Sequence, residues 1–294
     1  MDSSLKAGTY LQATDAGRPR QTSSGETGSG LRANQVSMRV DSGLCASQLS
    51  VRVRTRALVT DLSVDFAPGE FVAILGCNGA GKTLTLHTLA GLRPPYSGSV
   101  YLDGAALGAS SRREVALRLG FLAQDLEDAF VTTVLEMVLI GRHPHLALWQ
   151  WETAEDERIA RESLAAVDMA DFAERRTDTL SGGEQRRVAT ASLLAQRPGI
   201  YLLDEPTNHL DPHHQVRMLK LFHDLSRRGA TVITTLHDPT LAARFADRVL
   251  LLFGDGRWSA GLAREMLTAA TLSDLYRSPM LEIEKDGRRV FVNE

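Results

Sequence analysis

Cysteine is almost absent. Cys45 and Cys77 are the only two, and no CxxC pair exists. That excludes a disulfide framework and a cysteine-based zinc site, and it fits a reducing compartment. Long apolar runs are missing too. No stretch approaches the roughly 18 consecutive apolar residues of a membrane-spanning helix, so work at a membrane would need another chain as the anchor. The opening residues MDSSLKAGTYLQATDAG lack a basic segment followed by an apolar run, so no secretory signal is expected there. Neither sign of charge dominates: 33 Lys and Arg face 36 Asp and Glu, with no block of like residues. That gives no electrostatic footprint for a nucleic-acid partner. There is no internal repeat and no long heptad run.

What is present is ordinary globular composition over 294 residues, room for one large α/β domain or two small ones. Residues 1 to 43 are rich in Ser, Gly, Thr and Arg, as in RQTSSGETGSG (20–30), and are expected to form a disordered tail. From Leu49 the pattern changes. LSVRV alternates like a half-exposed strand. FVAIL (71–75) is a short continuous apolar run ending in a glycine loop, and KTLTLHTLAGL follows at helical spacing. SVYLDG, LGFLAQ, IYLLDEP, TVITTLHD and RVLLLF read as further strands, with helices between the later ones. Apolar strands alternating with helices predict an α/β fold, a mostly parallel sheet covered on both faces. Residues 125–185 read as helical throughout and predict an inserted helical subdomain. The stretch from about 256 to 294 predicts short helices and a last strand at RRVFV.

Two short motifs carry phosphate chemistry. GCNGAGKT (76–83) matches G-x-x-x-x-G-K-[ST] and lies between a predicted strand and a predicted helix, the context the motif requires. Gly76, Cys77, Asn78, Gly79, Ala80 and Gly81 would wrap phosphate oxygens with backbone N–H groups. Lys82 would reach the β- and γ-phosphates, and Thr83 would offer a hydroxyl to Mg²⁺. IYLLDEP (200–206) places two carboxylates at the end of a buried strand: Asp204 to hold Mg²⁺ through its water shell, Glu205 to polarise an attacking water. A second anion-binding layout appears at LSGGEQRR (180–187). There Ser181 can cap a helix, and Gly182 and Gly183 leave the positive helix end accessible.

Together these residues resemble the nucleotide-binding subunit of ATP-binding-cassette (ABC) transporters. Phosphate loop, signature LSGGE, the acidic strand IYLLDE and a later histidine stand in that family's order over about residues 49–255. The resemblance implies a P-loop NTPase fold with an antiparallel β edge and an inserted helical subdomain. It also implies ATP and Mg²⁺ as cofactors. Two copies would pack head to tail, so that Ser181, Gly182 and Gly183 of one chain close on ATP held by the phosphate loop of the other. By residue matching, Gln124 is expected to sense Mg²⁺ and the attacking water, His237 to contact the γ-phosphate, and Asp211 of NHLD to face the second copy. Asp211 also fits the N-cap of the helix after Pro212.

The chain departs from the family's pattern in two places. The fifth signature position is Glu184 instead of the common Gln. No aromatic lies between Val51 and Val59, where the family stacks one on adenine; Val53 would take that place, with Arg54 or Arg56 laying a guanidinium over the base. HPH (143–145) and HH (213–214) look ligand-like, yet neither has a third ligand at metal spacing in the sequence. GRHPH, HDPTLAARFADRVLLL and LSDLYRSPM instead resemble the ATPases of iron–siderophore, haem and cobalamin importers. Trp149 and Trp151 would be either helical packing or part of a surface that meets a permease.

The expectation is thus an importer ATPase for a metal chelate, with another cargo, or an exporter with a separate membrane subunit, as the alternative. It would sit at the cytoplasmic face of the membrane through integral permease subunits, served indirectly by an extracytoplasmic solute-binding protein. A soluble ABC ATPase for repair or translation is disfavoured, because the chain has neither a long coiled coil nor a second cassette. A catalytically dead module is disfavoured by Lys82, Asp204, Glu205 and His237.

Overall fold

The computed structural model describes residues 43–124, 132–147 and 149–294. The tail expected to be disordered lies outside the described residues except for Gly43, whose amide donates to Asp103 Oδ1 at 2.9 Å. Residues 125–131, the start of the expected helical insertion, lie outside as well.

The elements run β1 (Leu44–Val53), β2 (Arg56–Phe66), β3 (Phe71–Leu75), α1 (Lys82–Leu89), β4 (Ser97–Leu102), β5 (Ala105–Ala106), α2 (Arg112–Arg118), β6 (Leu119–Leu122), α3 (Val134–Leu139), α4 (Ala154–Ala166), α5 (Gly182–Gln196) and β7 (Ile200–Leu203). They continue with α6 (Pro212–Arg227), β8 (Thr231–Thr235), α7 (Pro239–Phe245), β9 (Arg248–Leu252), β10 (Trp258–Leu262), α8 (Ala263–Met266), α9 (Ala269–Tyr276), β11 (Met280–Lys285) and β12 (Arg288–Asn293). The main sheet has the order β10-β9-β3-β8-β7-β6, parallel except for β10 at one edge. Strands β3, β7 and β8 are buried at every residue, because helices and a second sheet cover both faces. The phosphate loop follows β3. Gln124, Asp204, Glu205 and His237 follow β6, β7 and β8. All therefore sit at the carboxyl ends of parallel strands, where open α/β sheets bind ligands.

One face of the sheet packs with α1 against the antiparallel sheet β2-β1-β4-β5, around Leu44, Leu49, Phe66, Ile74, Leu86 and Leu89. The other packs against α6, α7 and α9, around Phe71, Phe222, Leu251 and Leu272. Each such fully buried side chain contributes about 1.5–3 kcal/mol. The alternation read in LSVRV is not realised: Leu49, Ser50 and Val51 are all buried. Register shifts along β1 between Ala46 and Arg52 break the two-residue period.

The helices α3, α4 and α5 enclose a third core around Val134, Ile159, Leu164, Met169 and Val188. Capping boxes start α3 (Thr133 with Glu136), α4 (Thr153 with Asp156) and α5 (Ser181 with Glu184). The GRHPH stretch forms a 3₁₀ segment that clamps the far end of α5. Arg142 donates to the Ala195 carbonyl at 2.8 Å, as a cation favours a helix C-terminus, and His145 Nε2 lies 2.8 Å from the Gln196 carbonyl. A buried ion pair of 2.9 Å to Asp156 holds Arg142 in place. Among the described residues no helix is long and apolar enough to cross a membrane.

Candidate active site

The phosphate loop is shaped by two glycines. A Cβ on Gly76 would lie 2.4 Å from the Leu252 carbonyl oxygen, so only glycine lets the loop leave β3 this close to β9. Gly81, at φ 100°, is the N-cap of α1 and offers no side-chain cap. The first amides of α1 are therefore left for a ligand. Lys82 is buried, and its Nζ donates to the carbonyls of Gly76 at 2.9 Å and Cys77 at 3.4 Å. Burial pushes its ammonium below the usual lysine range, against the opposing pull of Glu205 and Asp204.

Two carboxylates face this loop with different surroundings. Asp204 is fully buried, and its Oδ1 accepts from Thr235 Oγ1 at 2.7 Å and Thr83 Oγ1 at 3.2 Å. Its Oδ2 is buried without a hydrogen-bond partner. A hydroxyl beside a carboxylate with one unpartnered oxygen is the hard-oxygen donor set that Mg²⁺ takes, so these residues fit that ion. Glu205, at φ 46°, is held by its amide, which donates to Thr235 Oγ1 at 2.7 Å. Its Oε1 lies 2.5 Å from His237 Nε2, which must carry the proton to meet a carboxylate, and its Oε2 accepts from Asn208 Nδ2.

Sequence reasoning missed Arg186. This buried guanidinium donates to the carbonyls of Asp204 at 2.6 Å, Glu205 at 2.8 Å, Pro206 at 3.4 Å and Gln124 at 3.2 Å, and also to that of Ala123. It stands on α5, one turn after Ser181, and ties the loops after β6 and β7 to the helix that begins at the signature. An arginine inside LSGGEQRR was visible, but nothing local says that its partners lie on two distant loops.

Lys82, Thr83, Gln124, Glu205 and His237 line one cleft of about 730 Å³, with Asn78, Gly79 and Gly81 of the loop. That volume suits a nucleotide-sized ligand. Val53, Arg54, Thr55 and Arg56 form its wall. No aromatic side chain is among the described residues lining it. Arg56 is fastened to the Gly254 carbonyl at 2.8 and 3.3 Å, which leaves Arg54, in the exposed β1–β2 turn, as the guanidinium at the rim.

Ser181, Gly182 and Gly183 do not line the cleft. Ser181 and Gly182 are exposed, and a Cβ on Gly182 would meet nothing within 4 Å. The motif opens outward, with Ser181 bonded reciprocally to Glu184. Asp211 caps α6, accepting from the His214 amide at 2.9 Å. Contrary to the sequence reading, the HH pair does have a third donor nearby: ligand atoms of Asp211, His213 and His214 lie within 4.8 Å of one another. Both Asp211 oxygens are engaged by His214, however, and the group sits at the positive end of α6, which disfavours a cation. Trp149 and Trp151 are 91% and 86% exposed, so packing within the helical region is not what they do.

Known proteins share this arrangement. The model of the ABC transporter family matches residues 59–208. The ferric enterobactin transport ATP-binding protein FepC of Escherichia coli K12 is 38% identical over 215 residues, 73% of this chain and 79% of FepC. The hemin import ATP-binding protein HmuV of Gloeobacter violaceus is 45% identical over 197 residues, 65% of this chain and 71% of that protein. A solved structure described as the inward-facing conformation of a transporter assigned to the metal-chelate type superposes with a TM-score of 0.75 at 27% identity. It covers 86% of this chain and 97% of its own. A phosphate loop, a carboxylate and a histidine round one cleft, with Asp204 buried behind it against Thr83, on a sheet of this topology and with these relatives, leave one conclusion: the chain belongs to the ABC transporter family, as an ATP-hydrolysing cassette.

Proposed function

We propose that this cassette powers uptake of a metal chelate, of the iron–siderophore, haem or cobalamin type, through separate integral permease subunits at the cytoplasmic face of the membrane. The observation that carries the reading is a cleft lined by Lys82, Thr83, Gln124, Glu205 and His237, with Asp204 bonded to Thr83 behind it, in a chain whose relatives are named for ferric enterobactin and hemin. Exposed tryptophans 149 and 151 supply apolar surface for a permease contact. An extracytoplasmic solute-binding protein would deliver the cargo to that permease.

In this reading the α1 amides and Lys82 take the ATP phosphates. Thr83 and Asp204, with Gln124 beside them, would hold Mg²⁺, which when bound screens the charge on the phosphate oxygens. Glu205 orients the attacking water. His237 now spends its Nε2–H on Glu205; a γ-phosphate would compete for that donor and release one carboxylate oxygen toward the water. Ser181, Gly182 and Gly183 serve the ATP of a second copy, and Asp211 faces that copy. ATP favours the closed pair because only that state supplies the signature donors.

The test is recovery of the full chain from detergent-solubilised membranes of its host, followed by reconstitution of the complex in vesicles. The expected result is co-purification with integral membrane subunits and ATP-dependent uptake of an iron–siderophore or haem. A chain that stays wholly in the soluble fraction, or vesicles that hydrolyse ATP without moving any metal chelate, would contradict the proposal.

A further inference from the structure

Two consecutive residues at the end of α9 touch the two loops on which hydrolysis depends. The Cys77 thiol, inside the phosphate loop, donates to the Leu275 carbonyl at 3.2 Å. The Tyr276 hydroxyl donates to the His237 carbonyl at 3.3 Å. Leu275 lies in the last turn, where helix carbonyls run out of partners. The residue four positions on is Pro279, which has no N–H to give. The thiol of Cys77 satisfies that carbonyl instead.

The helix has a firm base from which to hold these loops. Leu272 and Leu275 are buried in the core with Phe245 and Phe291. Thr268 caps its start, and Arg277, left-handed at φ 54°, ends it. The Met280 amide donates to Ser273 Oγ at 2.9 Å, which joins α9 to the hairpin β11–β12. That hairpin in turn grips the far side of the histidine loop, where the Phe291 amide donates to Thr240 Oγ1 at 3.0 Å. On the near side, the Leu236 amide donates to the Ile74 carbonyl at 3.1 Å. The backbone of His237 is thus pinned before, at and after the residue, while its imidazole faces Glu205. Burial also raises the Tyr276 phenol well above its ordinary range, so it stays a donor.

We infer that α9 is a strut for the hydrolytic cluster, in which Tyr276 is a positioning residue acting through the backbone of His237 and Leu275 steadies the phosphate loop through Cys77. The inference rests on the hydrolytic reading of His237 and Glu205. Neither strut residue touches the nucleotide cleft. The C-terminal segment therefore acts on turnover from behind the site.

The test is a double-mutant cycle in the full chain, read by single-turnover ATP hydrolysis, equilibrium ATP binding and thermal melting. Tyr276→Phe keeps the ring and removes only the hydroxyl. It is expected to slow hydrolysis about fivefold, the worth of one neutral hydrogen bond, with ATP affinity held and the melting temperature lowered by no more than a few degrees. In a His237→Ala background the same change is expected to do nothing further. Cys77→Ala is expected to weaken ATP binding a few-fold, and Cys77→Ser, which keeps a donor, to restore it. If hydrolysis is slowed but still measurable in His237→Ala and is untouched by Tyr276→Phe, the strut is overturned alone. The same holds if the full Tyr276→Phe effect persists without His237. If His237→Ala hydrolyses ATP normally, the hydrolytic reading falls and the strut with it.

Discussion

Two helices in this chain begin with glycine-rich turns, and they begin differently. At α1 the N-cap is Gly81, with no side-chain cap and no acidic residue in the first turn. At α5 the N-cap is Ser181, with a reciprocal box to Glu184 whose carboxylate already satisfies the turn. The first helix end is left unsatisfied, faces a cleft, and carries a buried lysine beside two carboxylates. The second is satisfied from within, exposed, and remote from that cleft. An anion can bind the first from the resources of one chain. At the second it would meet a serine hydroxyl and open backbone, which is not a site by itself. Arg186 ties the helix that starts at the signature to the loop that carries Asp204 and Glu205.

The largest expected effect falls on the first helix end. Lys82→Ala removes the buried cation and is expected to abolish ATP turnover, a loss of at least about a hundredfold given what preorganised charge contributes to such reactions, and to weaken ATP binding. Near-normal ATPase activity in the purified complex would erase the contrast between the two helix ends.

The next effect probes the far end of the signature helix. Asp156 orients Arg142 on the last carbonyls of α5. Hydrogen bonds from Thr153, helped by Arg142, hold the Asp156 carboxyl down at about 2. A carboxyl lowered on folding stabilises the protein above its unfolded pKa. That contribution is present above about pH 4 and is lost as pH falls toward 2. Asp156→Ala leaves Arg142 buried and unpaired and is expected to cost about 3 kcal/mol, read as lowered urea stability near neutral pH. The gap between variant and wild type should narrow below pH 4. A gap independent of pH would mean that the carboxylate charge is not what holds the helix end.

The smallest effect concerns the base. With no aromatic on the described wall of the cleft, the base gains less than the roughly 1–3 kcal/mol that stacking supplies. Phosphate contacts then dominate, and GTP is expected to compete with ATP within about tenfold. A preference beyond a hundredfold in direct binding would show that Arg54 or another group reads adenine strongly.

How much was legible follows from the range of the interactions. The phosphate loop and the Asp204–Glu205 pair are local signals, fixed by spacing next to apolar strands, and the structure brings them together: Glu205 lines the cleft with the loop, and Asp204 is buried against Thr83. Gln124 and His237 were reached only through family order, because a lone glutamine or histidine after a strand says little. Arg186 and Tyr276 were not legible as site residues: their partners lie up to 63 and 39 positions away, and no local pattern marks them. The strands β10 and β11 were missed for a simpler reason. WSAGL and MLEIEK sit at edges, with mostly unburied side chains, so neither carries a core-facing period.

Whether the signature end serves the nucleotide of a second copy is read by size-exclusion chromatography with Mg·ATP. Glu205→Gln keeps the shape of the side chain and removes the charge that orients water, so ATP should stay bound and hold a dimer, whereas the isolated wild-type chain should run mainly as a monomer. Adding Ser181→Arg puts a bulky cation where the partner's γ-phosphate must approach. That double variant is expected to run as a monomer that still binds ATP through the intact Lys82. A double variant that dimerises with ATP as well as Glu205→Gln alone would mean that the LSGGE turn is a helix cap and nothing more.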